Sequence, residues 1–143
     1  MVIGLIGESC TGKTTLAKKI QASVGAEIYS GKDYLRLAKN ENSAKELFMQ
    51  KLEAAATGQN IIYVIAEKDD LSLLPEKAFR ILVTADIDKI KERFAARMNG
   101  KLPAPVAAML EKKHGGFDQE AHDMHIHNGI PDASYILQAL KRI

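Results

Sequence analysis

The sequence predicts an α/β domain of three layers, α/β/α, with helices on both faces of a five-stranded parallel sheet. Three observations predict it. Short apolar runs alternate with stretches of helical period along the chain. Most of these runs are continuously apolar, as strands covered on both faces are. A glycine-containing turn, Gly7-Glu8-Ser9-Cys10-Thr11-Gly12, stands between the first run and the first helical stretch, where a βα unit turns from strand to helix.

The elements follow in order. Val2–Ile6 is the first apolar run. Lys13–Val24 has helical period and stops before Gly25. Glu27–Ser30 is a second short strand. Ser43–Thr57 is a helix, with Ser43-Ala44-Lys45-Glu46 as a capping box and Ala44, Leu47, Phe48, Leu52 and Ala55 on the inner face. Asn60–Ala66 holds the β-branched and aromatic run Ile61-Ile62-Tyr63-Val64-Ile65. Phe79–Ala85 is the fourth strand. Asp86 caps the helix after it, which turns Ile87, Ile90, Phe94 and Met98 inward. Residues 99–117 contain Pro103, Pro105 and Gly115-Gly116 and read as a mobile surface segment, with a short helix at Val106–Lys113. Asp123–His127 is the last strand. Asn128-Gly129-Ile130-Pro131 turns into a final helix, Pro131–Arg142, with Ala133, Ile136, Leu137 and Leu140 on one face.

Composition sets the limits. With 143 residues, the chain reads as a single domain over 1–143, without repeat or linker. One cysteine excludes a disulfide scaffold and a Cys-rich zinc module. Twenty Lys+Arg against 18 Asp+Glu leave a net charge of +2, too little for a protein that grips nucleic acid by bulk charge. No apolar run approaches the ~20 residues of a membrane span, and the apolar start ends at Glu8 without a basic flank. The expectation is a reduced, cytoplasmic domain.

Gly7-Glu8-Ser9-Cys10-Thr11-Gly12-Lys13-Thr14 matches the phosphate-loop pattern G-x-x-x-x-G-K-[ST], between a strand and a helix as its mechanism requires. Gly7 and Gly12 let backbone N–H groups approach phosphate oxygens, and the helix N-terminus adds partial positive charge. Residues 7–15, through Thr15, are therefore the expected nucleotide-binding stretch. Lys13 reaches the β- and γ-phosphates, and the Thr14 hydroxyl reaches Mg²⁺. The expected fold is that of the P-loop NTPases, and the expected ligands are ATP and Mg²⁺. Cys10 either fills an open position in the loop or carries a thiol activated by the helix N-terminus.

Ser30-Gly31-Lys32-Asp33-Tyr34-Leu35-Arg36 follows the second strand. It resembles the S-x-G-D-x-x-R segment of the nucleoside monophosphate kinases, of adenylate and cytidylate type, with Lys32 where the family has glycine. The resemblance implies that Arg36 holds the acceptor's phosphate with Asp33 orienting it, a task suited to a planar two-point donor. Arg93 and Arg97 stand four apart on one flank of their helix. They are similar to the family's R-x-x-x-R pair, which implies that Arg93 stacks on the ATP base, Arg97 meets phosphate charge, and residues 99–117 form a lid. Glu67, just after the third strand, is the carboxylate placed to hold the metal's water shell. Two departures stand out. Ala66-Glu67-Lys68-Asp69-Asp70 replaces the family's stretch carrying a second acceptor-binding arginine, and no arginine lies between Met98 and Lys141.

The resemblance implies transfer of the ATP γ-phosphoryl group to a nucleoside monophosphate. The departures leave open a small-molecule kinase of shikimate or gluconate type, in which Asp33 would take the acceptor's proton, or a nucleotide-binding regulator without turnover. His122, His125 and His127 lie within six residues. They read as polar tips of a strand edge, as metal ligands, or as a contact to nucleotide.

Overall fold

A computed structural model describes residues 1–55, 57–129 and 133–141. Five strands, β1 (Val2–Ile6), β2 (Glu27–Ser30), β3 (Ile61–Ile65), β4 (Phe79–Thr84) and β5 (Met124–His127), form one sheet in the order β2-β3-β1-β4-β5. Every pairing is parallel. The helices are α1 (Lys13–Val24), α2 (Glu41–Ala55), α3 (Ile87–Arg97), α4 (Ala104–Lys113) and α5 (Ala133–Lys141), with 3₁₀ turns at Asp33–Leu37 and Lys68–Leu73. These turns follow β2 and β3.

The strands are apolar throughout because they alternate between two cores. From β1 and β3, Ile3, Leu5, Ile62 and Val64 face one side, where Leu16, Ala17 and Ile20 of α1 and Ile136 and Leu140 of α5 cover them. Val2, Ile6, Ile61, Tyr63 and Ile65 face the other, under Phe48 and Leu52 of α2, Tyr34, Leu73 and Phe117. Phe48 anchors that second core, stacked on Tyr34 at 5.3 Å and edge-on to Tyr63 at 4.9 Å between centroids. β2 and β3 lie on one side of β1, and β4 and β5 on the other. The crevice of such a sheet opens at the carboxyl end of the strand where the order reverses, which here is β1.

Several details differ from the sequence reading. α2 begins at Glu41, before the expected Ser43 capping box. Asn40 caps it instead, its Oδ1 accepting from the amides of Asn42 (2.8 Å) and Ser43 (3.2 Å). Leu47 is exposed, since it lies about 100° around the helix from Phe48. Met98 ends α3 and is also exposed. Asp86 occupies the cap position of α3 without capping it. Its carboxylate accepts from Asn128 Nδ2 (2.6 Å) and lies 3.2 Å from His127 Nε2. These bonds, Asn128 foremost, hold its carboxyl below the usual range. α4 starts at Ala104, because Pro105 fits a first helical turn rather than ending one. Within residues 99–117, Leu110 and Val106 join an apolar cluster with Cys10, Ile90 and Phe94. Ile130, Pro131, Arg142 and the side chain of Ala133 lie outside the described residues, as does Ala56 beyond α2.

Candidate active site

The loop after β1 is shaped by close approach. The Gly7 amide donates to Ile65 O of β3 at 3.1 Å. On its other side a Cβ would sit 2.1 Å from Val83 O of β4. The chain then turns through two left-handed residues, Cys10 (φ 66°) and Gly12 (φ 100°), before α1 begins. Thr11 Oγ1 donates to Glu8 O at 3.0 Å, and Lys13 Nζ donates to the same carbonyl. The loop thus closes on itself around the Lys13 ammonium.

Lys13 is only 5% exposed. Burial drives its pKa down to about 8, with Arg97 adding repulsion and Cys10 and Glu8 opposing the shift. The first turn of α1 contains no acidic side chain, so no internal anion occupies its positive end. A buried cation, backbone donors at a helix N-terminus and a loop curled between them are the features that suit an anion such as phosphate.

The cleft beside it holds about 230 Å³ and is lined by Ser9, Cys10, Gly12, Lys13, Thr14 and Thr15 from the loop and helix. Ser30 and Gly31 enter from the end of β2, Glu67 and Asp70 from beyond β3, and Arg97 from the end of α3. Of the residues expected from the sequence, the structure therefore brings Ser9, Cys10, Gly12, Lys13, Thr14, Thr15, Glu67 and Arg97 to one cleft. Thr14 and Glu67 supply hydroxyl and carboxylate oxygens, the hard donors that suit Mg²⁺.

Others stand elsewhere. Arg93 Nη1 donates to Cys10 O at 3.0 Å, holding the left-handed corner of the loop from α3. Arg93→Ala is expected to lower the unfolding midpoint by a few degrees, corresponding to about 1 kcal/mol for a lost charged hydrogen bond. Thermal melts without nucleotide check this; an unchanged midpoint would show that the bond does not hold the loop. Arg36 lies over the Tyr29 ring, 4.7 Å from its centroid, and Asp33 Oδ2 accepts from the Ser30 amide at 2.9 Å. Neither lines the cleft. The Glu8 carboxylate accepts from the Gly115 amide at 2.9 Å and lies 3.1 Å from His114 Nδ1. It ties the phosphate loop to the segment after α4. Cys10 is buried against Ala85, Ile90 and Leu110, which suits packing better than reactivity.

Asp70 was not expected. It is 1% exposed, and its Oδ1 accepts from Lys32 Nζ at 2.7 Å. A 3₁₀ turn after β3 would have revealed it, because such a turn eclipses residues three apart and sets Asp70 on the buried side with Leu73.

The histidines gather at the ends of β4 and β5. His125 Nε2 and His127 Nδ1 both lie 2.7 Å from Thr84 Oγ1. Both side chains project from one face of β5, as alternate strand positions do. Among the described residues no group of three or more His, Cys, Asp or Glu is arranged to hold a metal ion. No helix among them is long and apolar enough to cross a membrane.

No family model matches the chain, and no curated protein matches it by sequence. Solved structures do. Shikimate kinase from Bacteroides thetaiotaomicron superposes with a TM-score of 0.62 at 18% identity, over 100% of this chain and 99% of that one. A gluconokinase from Sinorhizobium meliloti gives 0.57 at 14% identity, over 96% and 87%. Deoxyadenosine kinase from M. mycoides, with products dCMP and dCDP bound, gives 0.56 at 16%, over the whole of both chains. At these identities the likeness is one of fold, that of a five-stranded parallel sheet between helical layers.

Proposed function

We propose that this protein transfers the γ-phosphoryl group of ATP to a hydroxyl group of a small molecule. The observation that carries the reading is the buried Lys13 ammonium, ringed by its own loop and opening on a cleft shared with Thr14, Glu67 and Arg97. Such transfers depend on positioning and charge neutralisation rather than on covalent chemistry by the protein. Lys13 and the loop amides hold the β- and γ-phosphates. Thr14 and Glu67 would hold Mg²⁺, which when bound would offset the charge of the phosphates. Arg97 meets the charge that develops on the transferred group.

The acceptor end favours a small hydroxylated molecule, as in kinases of shikimate or gluconate type. Asp70 lines the cleft, whereas Arg36 lies over Tyr29, and a phosphate dianion beside a carboxylate is repelled. A nucleoside monophosphate is the second reading. It is favoured by the Asp33–Leu37 turn, which carries Arg36 on the acceptor side of the sheet.

Acceptor-dependent ADP release separates these readings, assayed with Mg²⁺, a panel of small alcohols and monophosphates, and a Lys13→Ala blank. Turnover with an alcohol is expected. Turnover confined to a monophosphate would instead establish the second reading, and Arg36→Ala should then raise the acceptor KM at least tenfold with ATP affinity unchanged. ATP binding without turnover of any acceptor would overturn phosphoryl transfer and leave a nucleotide-binding regulator.

A further inference from the structure

We propose that Asp70 receives the acceptor: its Oδ2 takes the hydrogen bond, and then the proton, of the attacking hydroxyl of an uncharged polyhydroxy compound. This rests on the phosphoryl-transfer reading and assigns the acceptor half of the same cleft.

Asp70 is buried, yet only half of its carboxylate is used. Oδ1 accepts from Lys32, while Oδ2 is shielded from solvent with no partner among the described residues. Buried polar atoms are ordinarily satisfied, and a lone charged oxygen is among the costliest to leave without a donor. The ion pair does not account for the burial. Lys32 is about half exposed, and a pair with one partner in water returns little against the cost of desolvating a carboxylate. The Tyr34 hydroxyl, on the turn after β2, is likewise buried and without a partner among the described residues. Both Asp70 and Tyr34 are near enough to the Tyr63 hydroxyl to push its pKa up, behind burial as the main cause. Tyr63 itself is engaged, donating to Gly31 O at 2.8 Å. Two unsatisfied polar groups therefore stand around Lys32, which bonds Asp70 and lies 6.0 Å from the Tyr34 ring centroid, and Asp70 shares its cleft with Lys13.

The chemistry of these atoms defines the ligand. A carboxylate oxygen accepts only, so the ligand must donate, and a tyrosine hydroxyl can do either. Lys32 is neutralised by Asp70, and Arg36 lies over Tyr29. Among the described residues lining the cleft the cations are Lys13 and Arg97, both assigned above to the transferred phosphate, so an anionic acceptor finds no further cation there. A neutral molecule with two or more hydroxyls fits. In the step, a lone pair of the acceptor oxygen attacks the γ-phosphorus. The bond from phosphorus to the bridging oxygen breaks, and its electrons leave with ADP. The hydroxyl proton passes to Asp70 Oδ2, and water removes it after product release.

The test is ADP release by the full chain with Mg·ATP and neutral sugars, inositol, glycerol and nucleosides, beside phosphorylated and carboxylated acceptors. The wild type, Asp70→Asn and Tyr34→Phe are compared. Expected is turnover of a neutral acceptor, with kcat/KM for it at least 100-fold lower in Asp70→Asn. ATP affinity should stay within twofold. Tyr34→Phe, which removes one oxygen and no packing, should raise the acceptor KM several-fold without changing kcat. Wild-type turnover restricted to anionic acceptors would overturn the neutral-acceptor assignment, and Asp70→Asn retaining full turnover would overturn the role of Asp70. If Asp70→Asn does not fold, an unchanged acceptor KM in Tyr34→Phe would overturn the pocket. Wild-type ATP binding with no acceptor used would instead defeat phosphoryl transfer itself.

Discussion

Lys13→Met is expected to abolish nucleotide binding and turnover, by 10³-fold or more, and to flatten the stability of the nucleotide-free protein between pH 8 and 10.5. Both effects follow from one placement. The ammonium is buried and drawn down to about 8 from an ordinary 10.5. A lysine with a depressed folded-state pKa binds fewer protons folded than unfolded throughout that window. Wild-type stability must therefore rise with pH from about 8 to 10.5, by up to about 1.4 kcal/mol per pH unit from this group. Below pH 8 the full cost is present, about 3 kcal/mol at most. Methionine carries no such cost, so denaturant midpoints across this range should rise for wild type and stay level for the variant. Phosphate reverses the shift, because an anion beside Lys13 restores the charged form. Near pH 8.5 ATP binding should take up a fraction of a proton, read by calorimetry in two buffers of different ionisation enthalpy. Methionine at 13 should remove that uptake. Wild-type ATP affinity unchanged between pH 7 and 9.5, with no proton uptake, would refute the buried placement of Lys13.

The parts of the site that were legible in the sequence are those set by local pattern. Gly7 to Thr14 names its own geometry, since the two glycines, the lysine and the flanking strand and helix are contiguous. The sheet was legible for a similar reason: runs such as Ile61-Ile62-Tyr63-Val64-Ile65 tolerate no polar face and so require cover on both sides. What was not legible depends on partners distant in sequence. Arg93 and Arg97 look equivalent on a helix flank, yet one turn of α3 separates a loop carbonyl from the cleft. The Glu8 carboxylate meets Gly115 across 107 residues, and no spacing rule predicts that. Arg36 has the motif of an acceptor ligand but lies over Tyr29. A flat guanidinium stacks as readily on an aromatic ring as it pairs with phosphate. Asp70 was hidden among Glu67, Lys68 and Asp69 because the 3₁₀ turn, not residue type, selects which carboxylate is buried.

Gly7→Ala is expected to cost more stability than any other single methyl group added to this chain, about 4 kcal/mol or more, and to abolish ATP binding in whatever fraction folds. The cause is steric rather than conformational, because Gly7 does not have a positive φ. Its added Cβ would stand 2.1 Å from Val83 O and 3.2 Å from Val83 C, inside any tolerable separation. Both atoms belong to the backbone of β4, which is held in register by the pairing of Ile6 with Leu82 and of Thr84 with His127. Gly7 cannot retreat either, since its amide is tied to Ile65 O on β3. The methyl must therefore part β1 from β4 or displace the loop from Lys13. Gly4→Ala is the matched control. Its Cβ would meet Leu74 Cδ1 at 2.7 Å, but that atom ends a flexible side chain able to turn aside at a cost of about 1–2 kcal/mol. Urea midpoints of the two variants check the difference directly: the same added atom, on the same strand or one residue beyond it, meets fixed backbone in one case and a movable methyl in the other. Equal midpoints would mean that β4 does not press on the start of the phosphate loop.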